Sequence, residues 1–344
     1  SEEPKAGAKP EHEPSVAATS GSTPNPVEAY HQQLLAESAR GAFRTPTSIT
    51  QLDPQELERG GVEDISRLEY LVPSLRYGQT GHDTKLSMRG ARTNTVGAES
   101  APVVGVYEDG IYAATTTEQL NSWLDVERID VLRGPQSTAF GQAAYAGAVS
   151  VVSNKPTFSG FNGYAEAENG LPDKTRWRVA VNVPTSDTLA FRVAGLSESR
   201  SGWIDNAYVH SDADDLNDRK VQVLRASMLW QPSDDFSILA WSRYLDENGA
   251  NGGAPWGYQQ VGAYVNGELL PGNQFAEPGA APDGGPWAVD RNMNTATEYE
   301  NWLNTVDLNW DIGFASFQWL LNYSVFHGKQ VYDNDYTNLG EANT

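Results

Sequence analysis

Glycine and arginine recur through Asp125–Asn154, DVERIDVLRGPQSTAFGQAAYAGAVSVVSN. Such a run could cradle a phosphate, because amides beside glycines and guanidinium groups both bind oxyanions. The spacing does not fit. Neither G-x-x-x-x-G-K-S nor G-x-G-x-x-G ahead of a helix is present. Catalytic chemistry has little else to draw on. His12, His31, His82, His210 and His327 are scattered, with no H-E-x-x-H and no nucleophile elbow. The acidic run Asp212–Asp218 suggests calcium, but Leu216 and Asn217 stand where an EF-hand loop needs a ligand and its glycine. A solvated acidic loop fits it better. The chain has no cysteine, so disulfides and thiolate metal sites are excluded. No enzyme activity, cofactor or metal is expected.

Composition narrows the partners. Across 344 residues the net charge is −21, which excludes a nucleic-acid surface. No window approaches the roughly 18 apolar residues of a membrane-spanning helix. Gly 32, Trp 10 and Tyr 15 suit strands joined by turns.

The elements that must hold any site begin after a proline-rich tail. Residues 1–27 carry five prolines and no aromatic residue, which predicts a flexible segment. A short helix is expected over Glu28–Ala39. Asp53-Pro54-Gln55-Glu56 reads as a helix start, with Asp at the N-cap, Pro at N1 and Glu at N3. A second helix is expected over Val62–Leu71, stopping before Pro73. Short strands follow. Val103–Tyr107 leads through the turn Glu108-Asp109-Gly110 into Ile111-Tyr112. Val126–Leu132 ends at Gly134-Pro135, and Ala148–Val152 ends before Lys155-Pro156. Gly134 and Pro135 make a tight turn, while Gly141 and Gly147 permit close backbone approach or positive φ. These elements predict a compact α/β domain.

From Phe161 the strands lengthen and alternate. Trp302, Val306, Leu308, Trp310 and Ile312 share one face, and Thr305, Asp307, Asn309 and Asp311 the other. Trp177, Val179, Val181 and Val183 oppose Arg176, Arg178 and Asn182. Phe236–Tyr244 alternates poorly. A soluble β-sandwich also has one apolar face per strand. Connection lengths discriminate better. The turns at 184–187, 231–235 and 312–313 are short, whereas the loops at 201–220 and 246–301 are long. That pattern favours an outer-membrane barrel, although the connection at 170–174 is short.

Several of these segments together resemble TonB-dependent outer-membrane receptors. Val126-Glu127-Arg128-Ile129-Asp130-Val131-Leu132-Arg133-Gly134-Pro135, Phe140-Gly141, Gly147-Ala148-Val149 and Lys155-Pro156 are similar to the family's V-E-R-I-E-V, L-R-G-P, G-A-(I/V) and K-P run. LSMRGAR at Leu86–Arg92, VGVYEDGIY at Val104–Tyr112 and ISRLEYLVPSL at Ile65–Leu75 resemble its other plug segments, in the same order. The resemblance implies an α+β plug domain followed by antiparallel transmembrane β-barrel strands. The boundaries expected are 1–44 for a periplasmic tail, 45–156 for the plug and 157–344 for about seven barrel strands. Family barrels have about 22 strands, so the sequence is expected to be the N-terminal part of a longer chain.

The resemblance also implies roles. Arg89 and Arg133 would contact acidic residues of the barrel wall and hold the plug. The polar loops with Gln79, His82, Arg92 and Asn94 would face the ligand. Trp256, Tyr258 and Trp287, on the long loop, could stack on a ligand or anchor the loop itself. The expected function is import of a scarce nutrient, a ferric siderophore first and an oligosaccharide second, in the bacterial outer membrane. Expected partners are a periplasmic TonB-type energy-coupling protein, the small-molecule ligand and outer-membrane lipid. The coupling segment has no good match; Glu13–Thr19 is nearest, and its proline weakens it as a strand. A secreted carbohydrate-binding module and a colicin- or phage-docking surface are the competing classes.

Overall fold

The computed structural model describes residues 48–80, 83–93, 102–120, 122–135, 144–171, 173–206, 216–249 and 296–331, with two-residue strands at 264–265, 268–269 and 288–289. Two sheets dominate.

The first sheet builds the N-terminal domain. Its strands are β1 (Ser48–Leu52), β2 (Val104–Glu108), β3 (Ile111–Tyr112), β4 (Val126–Arg133) and β5 (Gly147–Ser153), in the order β1-β4-β5-β2-β3. β5 pairs parallel to β2, and the other pairs are antiparallel. Helix α1 (Pro54–Arg59) starts as its sequence predicts. Asp53 accepts from the Glu56 amide, and the Glu56 side chain accepts from the Asp53 amide. The expected second helix is shorter than its apolar pattern and takes 3-10 form over Ile65–Tyr70. Asp64 caps it by accepting from the Ser66 amide, and Pro73 follows at once. Ile65, Leu68, Leu75, Met88, Ile129, Val131 and Val149 form the core. The helix expected over Glu28–Ala39 lies outside the described residues.

The second sheet is a wall of seven antiparallel strands in sequence order: β6 (Asn162–Gly170), β7 (Lys174–Pro184), β8 (Leu189–Arg200), β9 (Arg219–Ser233), β10 (Phe236–Gly249), β11 (Ala296–Asp311) and β12 (Ser316–Val331). β10 and β11 run several residues past the expected loop boundaries. The wall is inside out relative to a soluble sheet. Trp302 and Trp310 are 46% and 51% exposed, whereas Thr305 and Asn309 are 2% and 5% exposed. One register row, Val183–Phe191–Met228–Ala240–Val306–Leu321, runs apolar across six strands on the outer face. A soluble sandwich buries its apolar faces; this wall buries its polar one.

Aromatic pairs mark both ends of the apolar band. Tyr244 and Trp302 lie 4.7 Å apart between ring centroids, and Phe236 meets Trp310 edge-on at 6.4 Å. Trp302 and Trp310 are about 26 Å apart along the strand at roughly 3.3 Å per residue. A tilt of about 40° reduces that to on the order of 20 Å, close to the height of a barrel's lipid-facing band.

The poor alternation of β10 has a local cause. Leu239, Trp241 and Leu245 point inward, where the wall touches the N-terminal domain. Leu239 and Trp241 join a cluster against Ile111 and Phe158, and Leu245 one against Leu124.

Candidate functional site

The boundary between the two sheets gathers charge. Wall arginines reach carboxylates of the N-terminal domain at three levels. Nearest the chain crossing, Arg192 donates to Asp125 from Nε at 2.5 Å and from Nη2 at 2.6 Å. Midway, Arg225 donates to Asp109 at 2.5 Å and to Glu108 at 3.3 Å. Arg243 donates to Glu108 and, at 2.7 Å, to Asn301. Near the far end of the strands, Arg219 contacts Asp64 at 3.0 Å and Glu247 at 2.9 Å, while Lys174 and Arg176 meet Glu63 at 2.6 and 2.9 Å. Bidentate guanidinium–carboxylate geometry of this kind fixes orientation as well as distance.

Burial pushes the Glu63 carboxyl up, but Arg176 and Lys174 outweigh it and hold the group below the usual carboxylate range. Asp64 behaves likewise: burial opposes ionisation, and Arg219 with the Ser66 hydrogen bonds overcomes it. At this far-end contact the charged forms of Glu63 and Asp64 are therefore favoured.

The crossing between sheets is pinned by Asn182. Its Oδ1 accepts from the Thr157 amide at 2.9 Å, and its Nδ2 donates to the carbonyls of Thr157 and Gly160 at 3.0 Å.

A charged domain packed inside an inside-out wall is the arrangement of a plugged outer-membrane barrel, and comparison with known proteins agrees. Residues 42–148 match the TonB-dependent Receptor Plug Domain family. Those residues carry the plug domain of that family. The pesticin receptor of Yersinia pestis is 27% identical over 201 residues, covering 58% of this chain and 29% of that protein. The ferrioxamine B receptor of Salmonella typhimurium is 24% identical over 243 residues, 68% of this chain and 32% of that protein. The chain thus spans about a third or less of the curated relatives it matches. Among solved structures, the ferric yersiniabactin uptake receptor from Yersinia pestis superposes with a TM-score of 0.68 at 21% identity, over 85% of this chain and 43% of that one. The ferripyoverdine receptor of Pseudomonas aeruginosa gives 0.60 at 18%, over 83% and 35%. Both show the shared fold.

In this domain the plug motif does structural work. Gly134 has φ +97 and lies beside Arg89, and Pro135 follows it out of β4. Gly147 stands where a Cβ would fall 2.2 Å from Met88 Sδ and 2.5 Å from the Leu132 carbonyl, so close approach explains it. Gly141 lies outside the described residues. Arg133 donates from Nε to the Pro73 carbonyl at 3.2 Å and from Nη2 to Thr50 Oγ1 at 2.5 Å, both within the plug. Burial and the neighbouring charge of Arg89 lower its pKa. Arg89 opens a two-residue turn with Gly90, at φ 52 and 85, between Ser87–Met88 and Ala91–Arg92.

Of the expected ligand-facing residues, Gln79 lies on a two-residue strand paired with Thr84, and Arg92 is exposed on that second hairpin. His82, Asn94, Trp256, Tyr258 and Trp287 lie outside the described residues. Sequence reading missed the plug carboxylates Glu63, Asp64, Glu108, Asp109 and Asp125. It also missed the wall's recurrent inward arginines. A signal was present for two of them: Arg176 and Arg192 alternate with the exposed apolar residues of β7 and β8, whereas Arg225 and Arg243 share their inward faces with Val223, Trp241 and Leu245.

Proposed function

We propose that the protein takes up a ferric siderophore across the outer membrane, with energy relayed by a periplasmic TonB-type protein. The observation that carries this reading is the plug itself. A domain held inside a barrel wall by ion pairs at three levels blocks free diffusion, so a solute passes only when those contacts are rearranged. Such rearrangement needs an energy source, which in this reading is received by strand addition at a segment of residues 1–44. The ligand class rests on the relatives, named for ferrioxamine B, ferric yersiniabactin and ferripyoverdine.

In this reading residues 45–156 act as the plug and residues from 157 onward as the wall. Gln79, His82, Arg92 and Asn94, with Trp256, Tyr258 and Trp287, make the outward ligand surface. Arg89 and Arg133 stand together as a cationic pair fitted to wall carboxylates, a second contact of opposite polarity to the described ones.

The test is uptake of radioiron supplied as ferrioxamine B and as ferric yersiniabactin, in cells lacking their own receptors for either, with and without a protonophore. Energy-dependent uptake of one chelate supports the reading. Uptake insensitive to the protonophore removes the coupling. Growth on an oligosaccharide, without iron uptake, replaces the siderophore with a sugar.

A further inference from the structure

The last inward row of the wall crosses four strands, with Arg200 on β8, Arg219 on β9, Gly249 on β10 and Thr297 on β11. These strand ends lead into the connections 200–219 and 249–296, away from the 184–189 turn. Arg219 is fully engaged: it donates to Glu247, Asp64 and Ser122 at 2.9, 3.0 and 2.7 Å. Arg200 beside it is not. Its Nη2 donates to the Asn217 carbonyl at 3.2 Å, its buried Nε has no hydrogen-bond partner, and it makes no ion pair among the described residues.

Thr297, at the other end of the row, is 9% exposed, and its Oγ1 is also buried without a partner. Gly249 puts no side chain between them, and a Cβ there would fall 2.4 Å from the Asp218 carbonyl. Arg200, Gly249 and Thr297 line one cavity of about 280 Å³, bounded on the plug side by Asp64 and Ser66. Four adjoining strands and the plug build it, so its walls do not depend on strands beyond β12. Buried polar groups normally carry hydrogen bonds, so two unmet ones lining a single cavity mark a place that receives a polar solute.

We propose that this cavity is a binding subsite for a neutral amide- or hydroxamate-type segment of the cargo, with Arg200 donating to its oxygen and Thr297 bonding a second polar group. The proposal rests on the import reading and adds a wall subsite to the plug and loop residues named there. A donor such as Nε–H requires an acceptor. A carboxylate would supply one, but five carboxylates, Glu198 and Glu247 among them, line the cavity against three guanidinium groups. A further negative charge is therefore disfavoured. Arg200 and Thr297 stand three strand spacings apart, roughly 14 Å between backbones at about 4.8 Å each. The long arginine side chain shortens that gap, so the segment carries two polar groups several ångströms apart.

The chain has no native cysteine, so Thr297→Cys in the purified full-length receptor reports on the cavity alone. The probe is succinodihydroxamic acid, neutral and carrying two hydroxamates; succinate is its dianionic counterpart. The dihydroxamate should slow modification of Thr297→Cys by methyl methanethiosulfonate several-fold. It should leave Ser186→Cys, exposed at the opposite end of the wall, unchanged. Succinate should protect little. Adding Arg200→Lys, which keeps the charge but removes the buried Nε donor, should abolish the protection, with heat-modifiable migration confirming that the variants fold. Equal protection by succinate, or protection that survives Arg200→Lys, overturns the proposal. No protection by either compound leaves the cavity to water and overturns it as well. In the second arm, Thr297→Val should weaken binding of ferrioxamine B about three- to ten-fold, the worth of one hydrogen bond; unchanged affinity counts against the subsite. A wild-type receptor that binds no ferrioxamine B would sink that chelate alone, because the thiol arm uses none.

Discussion

Asp125 and Arg192, 67 residues apart in sequence, close on each other through two hydrogen bonds of 2.5 and 2.6 Å and are both buried. Asp125 precedes β4 with φ +54, and it also accepts from Asn154 Nδ2 at 3.0 Å. One carboxylate therefore ties the start of β4, the exit of β5 and the wall strand β8 into a single node. Removing one member of such a pair strands a buried charge.

Arg192→Ala should accordingly destabilise the plug in its seat by about 3–5 kcal/mol, the general cost of leaving a buried charge unpaired. Asp125→Asn keeps the shape and the left-handed φ but leaves the buried Arg192 charge unpaired, so it should cost a similar amount. Sensitivity to a bulky antibiotic and the thermal transition of the purified receptor measure the two consequences. A wild-type transition in Arg192→Ala would show that the node carries no weight.

The lipid-facing parity makes a sharper contrast. Val306 faces outward at mid-strand, and its neighbour Thr305 faces inward. Val306→Arg should cost about 2–4 kcal/mol if it lies near the bilayer midplane. Thr305→Ser should be nearly neutral. Heat-modifiable migration on gels compares the folded fractions; equal behaviour of the two variants would contradict a membrane-facing wall.

Acid should release the far-end contacts. Glu63 and Asp64 titrate below their usual values, so the folded state binds fewer protons than the unfolded one across that range. Their contribution is complete above the ordinary carboxylate value of about 4. It is lost as pH falls through the lower folded values. Plug stability, followed by thermal melting, should fall on acidification below about pH 4, and Glu63→Gln should shrink the fall. A melting temperature that rises over that interval refutes the assignment.

How far the sequence could be read depended on whether a feature was local. The N-cap at Asp53 needs only the next three residues, and the structure has it. The two faces of Trp302–Asp311 were legible as apolar and polar, but periodicity is the same whichever face is buried. Connection lengths, not parity, pointed to the barrel. β10 misled because Leu239, Trp241 and Leu245 turn apolar groups toward the plug, erasing the contrast between faces. The ion pairs were illegible for a different reason. Arg225 and Asp109 are 116 residues apart, Arg219 and Asp64 155, and only the folded register decides which carboxylate each arginine meets. The described wall supplies the cations and the plug the anions, whereas the sequence directed attention to plug arginines.

Arg133 tests the scaffold role of the motif. Its guanidinium joins Thr50 on edge strand β1 to the Pro73 carbonyl. Arg133→Ala should loosen β1 by roughly 0.5–1.5 kcal/mol, the net worth of a hydrogen bond whose acceptors, half-buried Thr50 and exposed Pro73, water can reach. Thr50→Val should reproduce part of it. Faster hydrogen exchange over residues 48–52, with affinity for whichever ligand the uptake test identifies unchanged, is the expected result. A large loss of affinity with normal exchange would move Arg133 into the ligand site.

Orientation follows from the crossing. Thr157 and Gly160 are held by Asn182, two residues before the end of β7, so the chain enters the wall beside the 184–189 turn. A plug entered from the periplasm puts that turn on the periplasmic side, together with those at 233–236 and 311–316. The connections at 170–174, 200–219 and 249–296 then share the outer side, and the short first one no longer conflicts with the pattern, because the later two supply the long outer loops. Leu171, at the tip of the first connection, is 94% exposed, and Ser186 on the opposite end is exposed as well. An impermeant maleimide added to intact cells should label Leu171→Cys and leave Ser186→Cys unmodified until the outer membrane is permeabilised. Labelling of Ser186→Cys alone would invert the wall.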